Sequence, residues 1–334
     1  MNFVLCAPAL NGDERTLTLI DRIVDRVEEE VHQIEVPDAD LLQNSHWYVQ
    51  ARAMRKRLLT TSAAKPPRRT DAQKGIHTKN VLIGSPCDAV VAAKLALSPL
   101  IILVEDREAD GVLLEIAIEN LASMELSRLF SRGAKAVPRA WDIQTAGGIG
   151  SIPQRIERIL IEAAENSVPV RLVVICDSDA RWPGDSSHGS VLALRNVVSA
   201  CAAAGIPLHV LKKRAAENYV PDEVFAGAAN GPEGTATATK VNALFRRTRA
   251  QRDHFPLKDG MCEREREEVI SRAFYSESER PDLAVLESRI FPKRPRMMLQ
   301  LRETLNEHFT AAGLAARDGN GELTLLIETI AAEL

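Results

Sequence analysis

Two apolar runs that each stop in acid constrain this chain more than any other feature. Pro99-Leu100-Ile101-Ile102-Leu103-Val104 runs straight into Glu105-Asp106, and Val170-Arg171-Leu172-Val173-Val174-Ile175-Cys176 into Asp177-Ser178-Asp179. A continuous apolar run bounded by turn signals reads as a strand buried on both faces, the habit of parallel sheets. In such sheets ligands sit just beyond the carboxyl ends of the strands. Two strands that both end in acids there aim several carboxylates into one crevice. Residues two apart in extended chain face the same side, so Asp177 and Asp179 can share a site while Ser178 points elsewhere. An isolated Asp-Ser-Asp is usually a turn cap; Glu105 at an equivalent strand end tips the reading toward metal. Hard oxygen donors suit Mg²⁺ or Mn²⁺, and a pair of such ions suits phosphodiester chemistry.

The surrounding pattern alternates. Val112, Leu113, Ile116, Ala117 and Leu121 keep helical spacing from about 110, and Ile156, Ile159, Leu160 and Ala163 do so after Ser151 and Pro153, a cap and a first-turn residue. A helix over 189–204 closes at Gly205, and Pro207-Leu208-His209-Val210-Leu211 is a further strand. Strand and helix in this rhythm predict parallel β-α-β units. Residues 1–96 read as a separate α/β unit. It has a strand at 3–7, a helix near 14–31 on Leu17, Ile20, Val24, Val27 and Val31, and a strand at 81–85. Residues 227–240, rich in Gly, Ala and Thr, read as a flexible loop, and the chain from 241 onward reads as helical. The expected organisation is an N-terminal α/β unit (1–96), a parallel-sheet domain (97–262) and a helical C-terminal region (263–334).

A net charge of −4 means that any grip on nucleic acid must come from local patches. Two patches qualify. One is an arm from Arg52 to Lys79 that includes Arg68 and Arg69; the other is a cluster of Arg289, Lys293, Arg294 and Arg296 beside Arg302. Each reads equally as a solvated face or as a set of phosphate contacts. Five cysteines at 6, 87, 176, 201 and 262 include no Cys-x-x-Cys pair, so a zinc site is not expected, and Cys176 and Cys201 read as buried small hydrophobes. The odd count and a start without a basic, apolar leader suggest a reducing cytoplasm. No apolar stretch reaches the ~18 residues of a membrane helix. His188, His209 and His254 show no ligand spacing; His254, four residues before Lys258, is the one that can reach the same site.

With Ala146-Gly147-Gly148 between the acid strands, Lys212-Lys213-Arg214-Ala215-Ala216-Glu217-Asn218-Tyr219 after the next one, and Arg252-Asp253-His254-Phe255-Pro256-Leu257-Lys258-Asp259-Gly260 later, residues 97–262 resemble the Rossmann-like TOPRIM (topoisomerase–primase) nuclease domain of the OLD (overcoming lysogenization defect) family. The resemblance implies a divalent-metal-dependent endonuclease acting on DNA or RNA with Mg²⁺ or Mn²⁺, in the manner of prokaryotic antiphage effectors. Glu105, Asp177 and Asp179 would hold the metal. Lys258, in the Lys-x-Gly element, would place a cation by the scissile phosphate, and Lys213 and Arg214 would contact phosphates. The family places an acid four residues after its Glu, where this chain has Ala109. Asp110 is preferred over Glu108 as the replacement, although a helix-capping Asp110 is an equal use of that side chain. Glu217 is either a further ligand or a partner for the adjacent bases. No Gly-x-x-x-x-Gly-Lys-Ser/Thr loop occurs, so the ATPase that many OLD proteins carry would come from a separate partner. A homo-oligomer is compatible with the sequence. The altered spacing after Glu105 keeps open a catalytically inactive TOPRIM module that binds nucleic acid or a partner; a primase or topoisomerase subunit is the weaker alternative.

Overall fold

The apolar runs are strands, and both sit in the middle of a parallel sheet. The computed structural model describes residues 1–64, 79–186, 189–231, 234–291 and 296–334. β1 (Asn2–Leu5), β2 (Gln33–Glu35) and β3 (Asn80–Ile83) form a parallel sheet in the order β2-β1-β3. β4 (Leu100–Val104), β5 (Trp141–Thr145), β6 (Leu172–Cys176) and β7 (Leu208–Val210) form a second one in the order β5-β4-β6-β7. The chain is therefore α/β. After β4 it crosses to one side for β5, then returns to the other side for β6. Strand order reverses between β4 and β6, and a crevice opens at such a reversal, beyond the carboxyl ends.

Alternation along β4 and β6 buries both faces of this sheet. Leu100, Ile102, Val104, Val173 and Ile175 pack into one core with the helix Val112–Leu121 and with helices from the C-terminal region. Leu103, Leu172, Val174 and Cys176 pack on the other side with Ile152, Ile156, Ile159, Val197 and Cys201 from the helices Ile152–Glu165 and Gly189–Ala204. Burying one such aliphatic side chain is worth about 1.5–3 kcal/mol, which is why the strands Leu100–Val104 and Leu172–Cys176 hold no polar residue until the sheet ends. The N-terminal sheet has its own core, built on Phe3, Leu5, Ile20, Ile23, Val24 and Ala92.

The structure differs from the sequence-based expectations at four places. β2 and β5 were not expected. Gln33-Ile34-Glu35 is short and polar at both ends, and Trp141-Asp142-Ile143-Gln144-Thr145 is an edge strand whose one buried residue is Ile143. Residues 227–240 are not a loop where they are described: the helices Asp222–Asn230 and Gly234–Phe245 cover them, divided near Gly231. Alanine is the strongest helix former, and Val224, Phe225, Ala228, Thr237 and Val241 are buried. Ser151 does not cap its helix through its side chain; a 3₁₀ turn, Ile149–Ser151, leads in instead. Residues 263–334 are helical as expected, but they share one core with β4 and β6, so residue 262 marks a change of secondary structure rather than a separate core. Among the described residues no helix is long and apolar enough to cross a membrane.

Candidate active site

Neighbouring strands deliver the acids. Val104 pairs with Ile175 and Cys176 with Val210, so Glu105, Asp177 and the loop after β7 emerge side by side. They surround a cavity of about 210 Å³ that Glu105, Asp110, Asp177, Asp179, Glu217 and Lys258 all line, together with Asp106 and Arg214. Every residue expected to hold metal, and the expected lysine, meets there.

The missing acid at position 109 has a structural answer. Arg107–Gly111 form a π-helical turn, in which the Gly111 amide reaches back to the Asp106 carbonyl (3.4 Å). In an α-helix residues i and i+4 share a face; a π turn moves that relation to i+5. Glu105 thereby shares its cavity with Asp110, which is 3 % exposed and accepts the Asp106 amide at 2.9 Å. Glu108 turns away to pair with Arg296 at 2.9 Å.

Asp177 accepts the Ala216 amide at 3.1 Å. Ser178 points away, its hydroxyl donating to the Lys213 carbonyl at 2.7 Å. Asp179 has a φ of +52° and its amide donates to the Arg214 carbonyl at 2.9 Å. A left-handed Asp is uncommon backbone, held here by the neighbouring loop. The amides of Gly147 and Gly148 donate to the Glu105 carbonyl at 3.2 and 3.3 Å, with φ of +81° and +120°, so this glycine pair wraps the end of β4.

So many acids in one place cannot all be charged without help. Burial, then the charge of Asp179, raises the Glu105 carboxyl to about 7. Burial raises Asp110 to about 8, the Asp106 amide opposing and the charges of Glu105 and Glu217 adding to the rise. Asp177 lies well above the carboxylate range for the same reasons, burial first and then Asp110, Glu217 and Glu105. Burial also pushes Glu217 up. Glu105 Oε2 and Asp110 Oδ1 are buried with no hydrogen-bond partner. Unpaired hard oxygens under mutual repulsion fit a divalent cation. Among the described residues no three His, Cys, Asp or Glu side chains already form a coordination shell.

Lys258 is the cation facing this charge. Its ammonium lies 3.7 Å from Asp106 Oδ2. Burial lowers its basicity, but Glu217, Asp106 and Asp259 outweigh that and hold it above the usual lysine value. Its turn depends on Gly260, whose φ is +81° and whose amide donates to the Pro256 carbonyl at 2.8 Å. A Cβ there would meet Ser288 C at 2.6 Å and Glu287 C and O at 2.8 Å, all backbone. Gly260→Ala is therefore expected to cost more than the ~1–2 kcal/mol of left-handed strain alone and to displace Lys258. A lowered melting temperature with weakened activity is the expected result; an unchanged melt counts against this tight turn.

The basic residues divide. Lys213 does not face the cleft: it is 4 % exposed, its ammonium donates to the Asn218 and Arg317 carbonyls at 3.2 and 2.5 Å and pairs with Asp253 at 3.1 Å, and burial lowers it to about 8. These partners hold it inward, so the expected phosphate contact is a structural tie. Arg214 does line the cavity, with its guanidinium paired to Glu265. His254 is turned to the Ala180 carbonyl at 2.9 Å, and burial lowers its pKa. Arg68, Arg69, Lys293 and Arg294 lie outside the described residues. Of the described cationic neighbours, Arg55 pairs with Asp21 and Asp25, Arg289 with Asp259, Arg296 with Glu108, and Arg302 with Glu115 and Glu119.

Sequence reasoning missed a clamp behind Glu217. The Asn218 side-chain amide donates to the carbonyls of Arg252 and Phe255 at 2.8 and 2.9 Å, joining the Glu217 turn to the Lys258 segment. The Tyr219 hydroxyl donates to Glu322, 103 residues later, and the same carboxylate accepts the Lys212 amide at 2.9 Å. No local signal could have paired residues so far apart. Compared with protein-family models, curated proteins and solved structures, the chain matches none.

Proposed function

We propose that this chain is a TOPRIM-type nuclease of the OLD kind that hydrolyses phosphodiester bonds of DNA or RNA. The observation that carries the reading is the convergence of all five acids expected to hold metal, four with raised pKa and two with unpaired oxygens, on one cavity that Lys258 also lines. Glu105, Asp177 and Asp179, with Asp110 and Glu217 completing the donor set, would hold Mg²⁺ or Mn²⁺, which would supply the water activation and charge relief that such hydrolysis needs. The chain's own residues do the rest. The π turn places Asp110 in the cavity that Glu105 lines. The glycine pair fixes the end of β4. Lys258, raised in basicity and half exposed, offers its charge to phosphate oxygens whose negative charge grows in the transition state.

Purified protein incubated with plasmid, linear DNA and tRNA, each with Mg²⁺, Mn²⁺ or EDTA, tests this; cleavage must require metal. An alternative is an inactive TOPRIM module that binds nucleic acid or a partner, favoured by the altered acid spacing after Glu105, where Ala109 stands in place of an acid. It requires binding without cleavage in any metal. Lys258→Ala is expected to lower the single-turnover rate roughly 10²-fold while changing substrate affinity little, because an interaction realised in the transition state acts on rate rather than on binding. An unchanged rate removes Lys258 from the mechanism.

The same resemblance supports a role as a prokaryotic antiphage effector whose ATPase is supplied in trans. Expression with the products of adjacent genes should recover a nucleotide-binding protein that changes toxicity or cleavage. A chain that acts fully alone and co-purifies with nothing refutes that part.

A further inference from the structure

We propose that the cleft beside the carboxylate cavity is a track for an unpaired nucleic-acid strand, with Trp182 as a base-stacking platform and Arg264 and Arg272 as its phosphate contacts. The direction of the track rests on the nuclease reading, since it leads to that cavity. A second cleft of about 440 Å³ is lined by Arg181, Arg264, Arg272, Glu265 and Glu268. The two clefts adjoin: Arg214 lines the first, and its partner Glu265 lines the second.

Trp182 follows Asp179 by three residues, so chain reach alone holds it within about 11 Å of that acid. It is half-buried, packs partly against the main core, and adjoins the cleft through Arg181 and Arg272, which line it. The Arg181 guanidinium lies 4.5 Å from its ring centroid and that of Arg272 5.8 Å. Arg181 is anchored by Asp185 at 2.8 Å and Glu268 at 2.6 Å, which fixes this aromatic–guanidinium stack before any ligand arrives. An aromatic ring beside guanidinium groups is the surface on which unstacked bases settle.

Charge points the same way. Around this cleft Arg181 and Arg214 are matched by Asp185, Glu265 and Glu268, acids included in the same lining or paired to it. Arg264 and Arg272 are exposed, and neither forms an ion pair among the described residues. Phosphates are held by cations without a carboxylate partner. Of the other expected patches, Arg55, Arg289, Arg296 and Arg302 are committed to carboxylates, and the exposed Arg52 and Arg57 of the N-terminal arm, which have no such partner among the described residues, do not line either cleft. The strand must be unpaired, because bases inside a duplex are stacked on one another and offer no free face to a ring.

The test is binding in EDTA, where no cutting occurs, read by fluorescence anisotropy with labelled oligo-dT, oligo-U and a duplex of equal length. Trp182→Leu, which keeps an apolar side chain, is expected to weaken unpaired-strand binding roughly tenfold, the size of one lost stack, and to leave duplex binding unchanged. Arg264→Ala with Arg272→Ala is expected to flatten the log–log salt slope by about 1.4, or ~0.7 per cation removed on a single strand. If Trp182→Leu does not fold, the exposed Arg264→Glu carries the test, with a roughly tenfold loss expected from reversing one phosphate contact. Binding of either oligomer through these residues supports the track. Folded variants that bind as the parent does, or that lose duplex binding equally, overturn it. A protein that binds through these residues and never cuts in Mg²⁺ or Mn²⁺ refutes the nuclease reading alone; one that cuts and binds independently of them refutes the track alone.

Discussion

Asp177→Asn is expected to lower cleavage by roughly 10³-fold or more, the several kcal/mol of charge stabilisation that metal-assisted hydrolysis depends on. The same change should leave the metal-free protein as stable as the parent or more so. Both halves follow from the surroundings of this side chain. Asparagine keeps an oxygen to accept the Ala216 amide, so the loop after β6 retains its anchor. What disappears is a negative charge that burial and the charges of Asp110, Glu217 and Glu105 make unfavourable. Relief of repulsion stabilises the fold, and loss of a hard anionic donor weakens the site. Single-turnover cleavage and a thermal melt of the same preparation check both. A variant that cuts as well as the parent places the chemistry elsewhere; one that cuts poorly because it has unfolded leaves its melt as the evidence against this account of the cluster.

Without divalent metal, the protein should lose stability as pH rises from 5 to 8. Glu105 at about 7 and Asp110 at about 8 are raised above their unfolded values, as are Asp177 and Glu217 in direction. A raised folded pKa means that the folded state binds more protons across that window. The stability this contributes is complete below the unfolded pKa and is lost as pH climbs through the folded one. Each tenfold difference in proton affinity between the folded and unfolded chain is worth about 1.4 kcal/mol. Because the groups repel one another and do not ionise independently, the total loss is on the order of a few kcal/mol. Melts in EDTA at pH 5, 6, 7 and 8 should show a falling midpoint, a shallower fall in Asp177→Asn, and recovery at pH 8 when Mg²⁺ is added. A midpoint that is flat or rises across the window contradicts the repulsive cluster.

What the sequence made legible follows the energetics. β4 and β6 are buried on both faces, so nearly every position in them had to be apolar, and the first acid marks where the sheet ends. Glu105, Asp177 and Asp179 could be read because they follow such ends, whereas Glu217 lies in the turn beyond the half-buried β7. Lys258 came from a resemblance, and Gly260 supplies the physical reason for its turn, since backbone approaches within 2.8 Å of where a side chain would start. β5 was not legible: an edge strand with one buried residue has no apolar run to betray it. The π turn was not legible either. One extra residue in a helix leaves no local signature, although Ala109 and Asp110 together are what such an insertion looks like once the turn is known. Lys213 misled because a basic run after a strand looks solvated until the C-terminal helices, more than a hundred residues on, close over it. The helices across 227–240 were hidden by Gly and Thr, which weigh against helix in isolation and are overridden by the burial of Val224, Phe225 and Val241.

The central claim is that this carboxylate cluster holds a divalent cation, and Mn²⁺ binding to metal-free protein, followed by electron paramagnetic resonance at pH 7, tests it most directly. The account predicts saturable binding, release of protons as Glu105 and Asp110 ionise around the ion, and loss of that binding in Asp177→Asn. Absence of saturable binding, or equal binding by the variant, would contradict it.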